Sequence, residues 1–435
     1  MYRKCTTAET KIGMHNYLCD TDGTGGHLKT LPEDFVVREI SDPPRQKDNG
    51  DYSIATVTAR NWETNRMVRL MSRSMGVSRD RIGFAGTKDK RAVTTQLMSV
   101  YGPPELFDKI DLKDLEVRDV YRGARGISIG DLIGNEFEIT VRDCTMDPAM
   151  IKDTVDADIS TIRKTSGFPN YFGVQRFGAV RPVTHLVGER LVRGDIEGAV
   201  RTYISFTTPE EDEVLQLKRK ELEDTPVSDW GKVFGSIPPA MAFERMMVGV
   251  LMNDPEDWIG AISIVPANLQ MMFTHAYQSW LFNEMLSRRM NAGLPLNAPV
   301  EGDIIIPLDA NRIPQHENPI LTTAKNIDLV TRQVRAGRAF VTITLFGSDG
   351  ELAEGEMGEI EHKVIEENRL SHEDFVIPGL PRCTSKGSRR EILCPLKQID
   401  YSIKDEGYSL SFSLPKGNYA TCLLREFMKS EMRDY

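Results

Sequence analysis

The stretch "GFAGTKDKRAVTTQ", Gly83–Gln96, places one aspartate, Asp89, among the cations Lys88, Lys90 and Arg91. Cations within about 4–6 Å of a carboxylate favour its charged form. An acid held in that form is a poor proton donor near neutral pH, but it suits a nucleophile, or a base for a strong acid. The alternative is a solvated surface charge in a turn, which is the commoner role for an isolated motif of this kind.

Two other kinds of site fit this stretch poorly. A metal ion is unfavourable beside three cations without further carboxylates, because hard cations need several oxygen ligands. The order Gly86-Thr87-Lys88 reverses the Gly-Lys-Thr order of a phosphate-binding loop. The stretch therefore predicts neither a metal site nor a nucleotide-binding loop.

Positive charge is concentrated around Asp89. The chain has 435 residues and a net charge of −10, so as a whole it does not attract a polyanion. The segment 60–91 nevertheless contains nine cations and three acids, a net charge of +6. Arg66, Arg69 and Arg73 recur at i, i+3 and i+7, which puts them on one face of a helix. This pattern indicates either a solvated helix face or a local binding surface for a polyanion such as nucleic acid.

Hydrophobic periodicity predicts strands and helices along the chain. Strands are predicted over 34–40, 51–59, 96–102 and 135–143, and a helix follows the second of them, capped by Thr64 or Asn65 and ended by Gly76. The middle of the chain contains a strong amphipathic helix over 270–290, a strand over 340–347 and an acidic run over 351–370, which we interpret as solvated surface. The tail predicts two strands around a turn at 405–407 and a short helix, so it resembles the start of the chain more than the middle. This organisation suggests one domain interrupted by an insertion.

Composition predicts the setting of the protein. Six cysteines are scattered without a Cys-x-x-Cys pair, which argues against a disulfide framework and a zinc knuckle. Reduced thiols are typical of the cytoplasm, where we expect the protein to reside. The first twenty residues contain no apolar stretch long enough for a signal peptide, and we expect no membrane span.

Five strings carry a family resemblance: "LPEDFVVREI", "FAGTKDKRAVTTQ", "GDLIGNEFEITVRD", "FPNYFGVQRFG" and "FSLPKGNYATCLLRE". They occur in this order, and together they make the chain, from Lys29 to Glu426, resemble the TruD family of pseudouridine synthases in an archaeal-type or eukaryotic-type variant. The resemblance implies an enzyme, an isomerase that converts uridine to pseudouridine in tRNA, typically at position 13, without cofactor or metal. It implies that Asp89 is the catalytic carboxylate, whether the acid attacks the sugar or the base.

The resemblance also implies which residues contact the substrate. The target uridine must be flipped out of the folded RNA, which calls for an aromatic platform and partners for the base edge. The residues expected to bind the flipped base are Phe137, Asn135, Lys29, Glu33, Gln175 and Phe177. The residues expected to contact the RNA backbone are Arg66, Arg69, Arg73, Lys88, Lys90, Arg91 and Arg176. For Phe137 a core strand position, and for Asn135 a turn position, are the alternatives.

The resemblance also implies an α+β fold with two domains. Residues 1–167 and 388–435 would form the catalytic domain around a mixed, largely antiparallel sheet, and 168–387 would form an inserted α/β TRUD domain. Arg181, Arg190, Arg193 and Arg201 of the insertion are further candidates for tRNA backbone contacts. His185 and His275 are expected to be structural, no protein partner is implied, and a monomer is expected.

Two other functions use the same residues. A non-catalytic RNA-binding or tRNA-folding module would need the basic surface but not Asp89, since phosphate binding gains nothing from an acid there. A glycosidase-like nuclease or base-excision enzyme would release free uracil instead of rejoining it to the sugar.

Overall fold

The structure, a computed structural model, describes residues 2–309, 313–396, 398–405 and 407–435. Its strands in chain order are β1 (Arg3–Lys4), β2 (Asn16–Tyr17), β3 (Phe35–Ser41), β4 (Tyr52–Arg60), β5 (Ile82–Phe84), β6 (Val93–Tyr101), β7 (Leu115–Gly123), β8 (Leu132–Arg142), β9 (Gly167–Pro169), β10 (Ile304–Pro307), β11 (Ile320–Leu321), β12 (Ala339–Leu345), β13 (Ser388–Glu391), β14 (Leu393–Pro395), β15 (Ile399–Lys404) and β16 (Gly407–Pro415).

Its helices in chain order are α1 (Thr7–Thr10), α2 (Thr64–Met75), α3 (Pro148–Thr165), α4 (Thr184–Val192), α5 (Ile196–Ser205), α6 (Glu213–Asp224), α7 (Trp230–Val233), α8 (Ala242–Asn253), α9 (Trp258–Ser263), α10 (Ala267–Asn291), α11 (Ile327–Arg335), α12 (Gly355–Glu367) and α13 (Ala420–Met428). The four strands predicted in the first third of the chain correspond to β3, β4, β6 and β8. The long amphipathic helix corresponds to α10.

The chain divides into two compact units. The sheet unit comprises Thr21–Ser166, Pro395–Ser430 and Asp434–Tyr435. The helical unit comprises the chain up to Asp20, Gly167–Cys394 and Glu431–Arg433. Residues 2–20 belong to the helical unit, whereas the family pattern groups them with the catalytic domain.

The sheet unit is built on one mixed sheet. Within the described residues it has eight strands in the order β15-β16-β8-β3-β6-β4-β7, with β5 also paired to β6. The β3–β6 pair is parallel, and the other pairs of this sheet are antiparallel. The α+β architecture with a mixed, largely antiparallel sheet is therefore confirmed. The tail strands β15 and β16 complete the sheet that the first third of the chain begins, because β16 pairs along its whole length with β8.

Helix α2 covers one face of this sheet with its apolar side chains. Met67, Met71 and Met75 are buried against β4 and β6, as the spacing of the methionines predicts. Gly76 ends the helix in the left-handed conformation, with φ of 70°, as expected. The predicted cap is wrong, because the Glu63 carboxylate accepts hydrogen bonds from the first free backbone N–H groups of the helix.

A large apolar cluster of the helical unit forms around α4, α5, α8 and α9, and Phe273 of α10 packs into it. Helices α4 and α10 approach closely at Gly188, where a β-carbon would lie 2.0 Å from the carbonyl oxygen of Phe273. The unit also contains a four-stranded antiparallel sheet in the order β11-β10-β12-β13 and the two-stranded pairs β1-β2 and β9-β14. The acidic run contains helix α12, and its residue Glu361 is fully buried in an ion pair with Arg389 at 3.0 Å, so the run is not simply solvated surface.

A search of the described residues finds no helix with the length and apolar character needed to cross a membrane.

Candidate active site

The loop that carries Asp89 is fixed at several points. This Asp89 loop, residues 85–92, connects β5 to β6 and passes the first turn of α2. The backbone N–H of Lys88 donates to the Thr64 hydroxyl at 2.9 Å, and Thr64 is buried. At the end of the loop, the Asn61 N–H donates to the Ala92 carbonyl at 2.9 Å. The loop therefore presents Asp89 from a defined backbone position.

Asp89 pairs with a distant lysine. The Lys29 ammonium lies 2.7 Å from Asp89 Oδ1, and the same ammonium lies 4.3 Å from the centroid of the Phe35 ring. Lys29 adopts a left-handed backbone, with φ of 58°, which is uncommon for a lysine. The sequence had expected the neighbouring cations of the motif to hold the carboxylate, and that expectation is replaced by this pair.

Lys88 has an internal partner. Its ammonium lies 2.6 Å from a carboxylate oxygen of Glu39 on β3, and the side chains of Lys88 and Glu39 are only 5% and 1% exposed. An ammonium buried in this way cannot reach a phosphate on the surface, so Lys88 is not retained as an RNA backbone contact. Its geometry instead anchors the Asp89 loop to the central strand of the sheet.

Aromatic rings line the sheet beneath Lys29. Phe35 and Phe137 meet edge to face with centroids 6.2 Å apart, and Phe137 stacks on Phe412 with centroids 5.3 Å apart. Phe137 is 7% exposed, so it is both a core strand residue and a member of the ring cluster next to the Lys29–Asp89 pair. We refer to Phe35, Phe137 and Phe412 as the aromatic floor.

Two buried amides on this face lack a hydrogen-bond partner. Within the described residues, the Asn135 Oδ1 atom and both amide atoms of Gln96 are buried and unpaired. Asn135 lies within β8, opposite Glu39 and two residues from Phe137, so it is not a turn former. The β3–β6 register, Val37 with Thr94, puts Gln96 on the same face of the sheet as Phe137. Buried polar groups are usually paired, so these free amide atoms are available to a ligand that reaches the aromatic floor.

Sequence reasoning had not singled out Gln96. The sequence does contain a signal for this residue. Gln96 is polar, yet it shares one face of strand β6 with Thr94 and Met98, which are both buried. A buried glutamine that must find two partners in a sheet core is costly unless something binds it.

In the sheet unit, the basic side chains expected to contact the RNA backbone are exposed, apart from Lys88. The exposed ones are Arg66, Arg69, Arg73, Lys90 and Arg91. The three arginines project from the outer face of α2, opposite the buried methionines, as their spacing predicts.

Glu33 has a partner of its own. It pairs with Arg60, and the hydrogen bond from that guanidinium lowers the pKa of the Glu33 carboxyl. The pair is half exposed at the surface of the sheet unit. Glu33 is thus close to Lys29 in the sequence, but its carboxylate contacts Arg60 rather than a residue of the Asp89 loop.

The remaining predicted residues belong to the helical unit. Gln175 is exposed, whereas Phe177 is fully buried edge to face against His185, so Phe177 is a core residue and not a base contact. Arg176 donates to the Ser279 hydroxyl at 3.1 Å. Burial lowers the pKa of His185 to about 4, which fits the structural role expected for it.

The other arginines proposed for the insertion are also engaged. Arg181 is mostly buried and pairs with Glu244 at 2.9 Å, so it is not a backbone contact. The exposed pairs are Arg190 with Asp195, Arg193 with Glu189, and Arg201 with Glu197.

Among the residues that the structure describes, no three His, Cys, Asp or Glu side chains come together in a group that could hold a metal ion. The site thus consists of a carboxylate paired with a lysine, an aromatic floor, two unpaired amides and a basic helix face. This arrangement has the chemistry to bind a flat, polar ring attached to a polyanion, with an acid beside the ring.

Comparison with known proteins identifies the family. The family model described as tRNA pseudouridine synthase D (TruD) matches residues 11–427. The chain is 42% identical over 430 residues to a probable tRNA pseudouridine synthase D of Methanococcoides burtonii, with 97% of each chain covered. It is 38% identical over 421 residues to a protein of the same description from Thermococcus onnurineus, with 95% of this chain and 97% of the relative covered.

A solved structure agrees with the sequence matches. The crystal structure of the putative tRNA pseudouridine synthase D from Methanosarcina mazei superposes with a TM-score of 0.87 and 39% identity, and the match covers all of both chains. The chain therefore belongs to the TruD family of tRNA pseudouridine synthases, which are isomerases.

Proposed function

We propose that this chain isomerises uridine to pseudouridine in tRNA, with position 13 as the target and Asp89 as the catalytic carboxylate. The observation that carries the proposal is the contact of Asp89 with Lys29 directly beside the aromatic floor. Asp89 is 44% exposed, so a flipped nucleotide can reach it. The Lys29 side chain is only 14% exposed, so a largely buried ammonium holds the partly exposed carboxylate in one orientation.

The chemistry requires one bond to break and one to form. The N1–C1′ bond of uridine is cleaved, the uracil turns within the pocket, and a C5–C1′ bond replaces it. The proton lost from C5 and the proton gained at N1 balance, and no electrons are gained or lost overall. An ionised acid that adds to the sugar, or to the base, provides the covalent step on either route. Asp89 fits both routes.

The aromatic floor and the unpaired amides suit the uracil ring. Phe137 offers an apolar surface on which a planar base can rest. The free Oδ1 of Asn135 can accept the N3–H of uracil, and the free Nε2 group of Gln96 can donate to a carbonyl of the ring. These hydrogen bonds could form again after the ring turns, because uracil presents an N–H between two carbonyl groups in both orientations.

The exposed cations would hold the RNA backbone. Arg66, Arg69 and Arg73 share one face of α2, and Lys90 and Arg91 follow Asp89 directly. Such contacts position the RNA without reading its sequence. We propose that the choice of target uridine depends on RNA shape and on the pocket rather than on these side chains.

The variant Asp89→Asn tests the proposal. It keeps the shape of the side chain and removes its charge, so we expect pseudouridine formation to fall by roughly 10²–10⁴-fold or more, while tRNA affinity stays within a few-fold. Pseudouridine is read by primer extension after carbodiimide treatment, on tRNA with uridine or cytidine at position 13.

Asp156→Asn is the matched control. Asp156 lies in the same unit, pairs with Lys152 at 2.7 Å and is 47% exposed, much like Asp89. The control should retain full activity. Full activity of Asp89→Asn would refute the catalytic assignment, and free uracil among the products would favour a base-excision enzyme instead.

A further inference from the structure

A turn next to the Asp89 loop carries an apolar side chain into solvent. Ile129, in the turn between β7 and β8, is 71% exposed, more than any other large apolar side chain among the described residues. Single exposed apolar residues are ordinary on protein surfaces. Exposure alone therefore decides nothing, and what matters is how the turn is held and what it adjoins.

The turn is rigidly braced. The Asp131 carboxylate accepts from Arg125 at 2.6 Å and from the Ser128 N–H at 2.9 Å. The ammonium of Lys416, from the tail of the chain, donates to the carbonyl of Gly130 at 2.9 Å. Gly130 has φ of 95°, which glycine adopts without strain. Ile129 therefore projects from a turn fixed on both sides, and not from a loose loop.

The same turn is joined to the Asp89 loop. The Gly130 N–H donates to the Ala85 carbonyl at 2.8 Å, and Ala85 lies four residues before Asp89. Ala85 and Ile127 belong to one small apolar cluster, against which Leu132 packs. The position of Ile129 is thus coupled to the loop that carries the carboxylate.

We propose that Ile129 enters the base stack of the tRNA at the place that the target uridine leaves. The inference rests on the proposed function, because it requires that a uridine be extracted. Removing a base from its stack costs a few kcal/mol. Apolar side chains inserted between base steps are a known way to stabilise an opened stack. Ile129 is thus a positioning residue, which acts on the RNA and does not touch the reacting atoms.

The variant Ile129→Ala tests this role with two substrates. On unmodified tRNA we expect kcat/KM to fall about 10- to 100-fold, because the opened stack loses its filler. On tRNA with an abasic nucleotide opposite the target uridine, extraction costs less, so the loss should shrink to within about three-fold. Ile129→Leu, which keeps an apolar side chain of similar size, should retain most activity on both substrates.

Met150→Ala is the matched control, since Met150 is an apolar residue of the same unit that is 57% exposed. It should behave as wild type on both substrates. An Ile129→Ala variant whose kcat/KM is unchanged, or falls equally on both substrates, would contradict the insertion of Ile129 into the base stack.

A fluorescence measurement separates this inference from the proposed function. A 2-aminopurine beside the target uridine should brighten when saturating Asp89→Asn protein binds, because the neighbouring base leaves the stack. The fluorescence increase should disappear in the double variant Asp89→Asn with Ile129→Ala. An unchanged increase would contradict the insertion of Ile129 into the base stack. An active Asp89→Asn variant would instead contradict the catalytic assignment and leave the two-substrate test of Ile129 valid.

Discussion

The buried pair between Lys88 and Glu39 gives a prediction whose size follows from burial. The two groups lie 2.6 Å apart and are 5% and 1% exposed. In Lys88→Met the Glu39 carboxylate stays buried without its partner, which costs about 3–5 kcal/mol of unfolding free energy. The pair of Lys152 with Asp156 has nearly the same separation, 2.7 Å, but is 62% and 47% exposed. Lys152→Met should therefore cost only about 0–1 kcal/mol.

The assay must report on the sheet unit alone. Hydrogen exchange of peptides from β3 and α2, followed through a urea titration, measures the local unfolding free energy there. The double variant Lys88→Met with Glu39→Gln removes both charges and should recover at least half of the loss. Lys88→Met should also lower activity, because the Asp89 loop loses its anchor on β3. A Lys88→Met protein as stable as Lys152→Met would show that burial of the Lys88–Glu39 pair does not raise the cost of removing one partner.

Two further predictions concern RNA binding and pH. Replacing Arg66, Arg69 and Arg73 together by Gln should weaken tRNA binding and make the slope of log K against log salt concentration shallower by about 2–3. Filter binding over a salt series measures this slope, and an unchanged slope would contradict contacts from this helix face. Burial lowers the pKa of His185 to about 4, below its value in the unfolded chain, so the unfolded chain takes up the proton first as pH falls. Stability that is full above about pH 6.5 should then be lost between about 6.5 and 4, by up to about 3 kcal/mol. His185→Gln should abolish that part of the pH dependence of the urea midpoint, and an unaltered pH profile would contradict it.

Local patterns predicted only part of the sheet unit, and they missed β5, β7 and α3. Strands β3, β4, β6 and β8 and helix α2 follow from alternation and from the spacing of methionines, which act within a few residues. The helix cap was predicted wrongly because glutamate is a less usual cap than threonine or asparagine, yet Glu63 reaches the same N–H groups.

The partners of the charged residues could not be predicted locally. The sequence of the loop suggested that Lys88 would pair with the adjacent Asp89. Lys88 instead pairs with Glu39, and the partner of Asp89 is Lys29, sixty residues earlier. These contacts depend on the parallel pairing of β3 with β6, a long-range feature that leaves no periodic signal in either strand. The unpaired amide of Gln96 is likewise visible only once the neighbouring strands are in register.

The most direct test of the account is a single-turnover reaction with Asp89→Asn in excess over tRNA, at a protein concentration that saturates binding. If Asp89 is the catalytic carboxylate, no pseudouridine forms in the time that wild-type protein needs to convert all of the RNA, although the RNA is fully bound. A rate within ten-fold of wild type would contradict it.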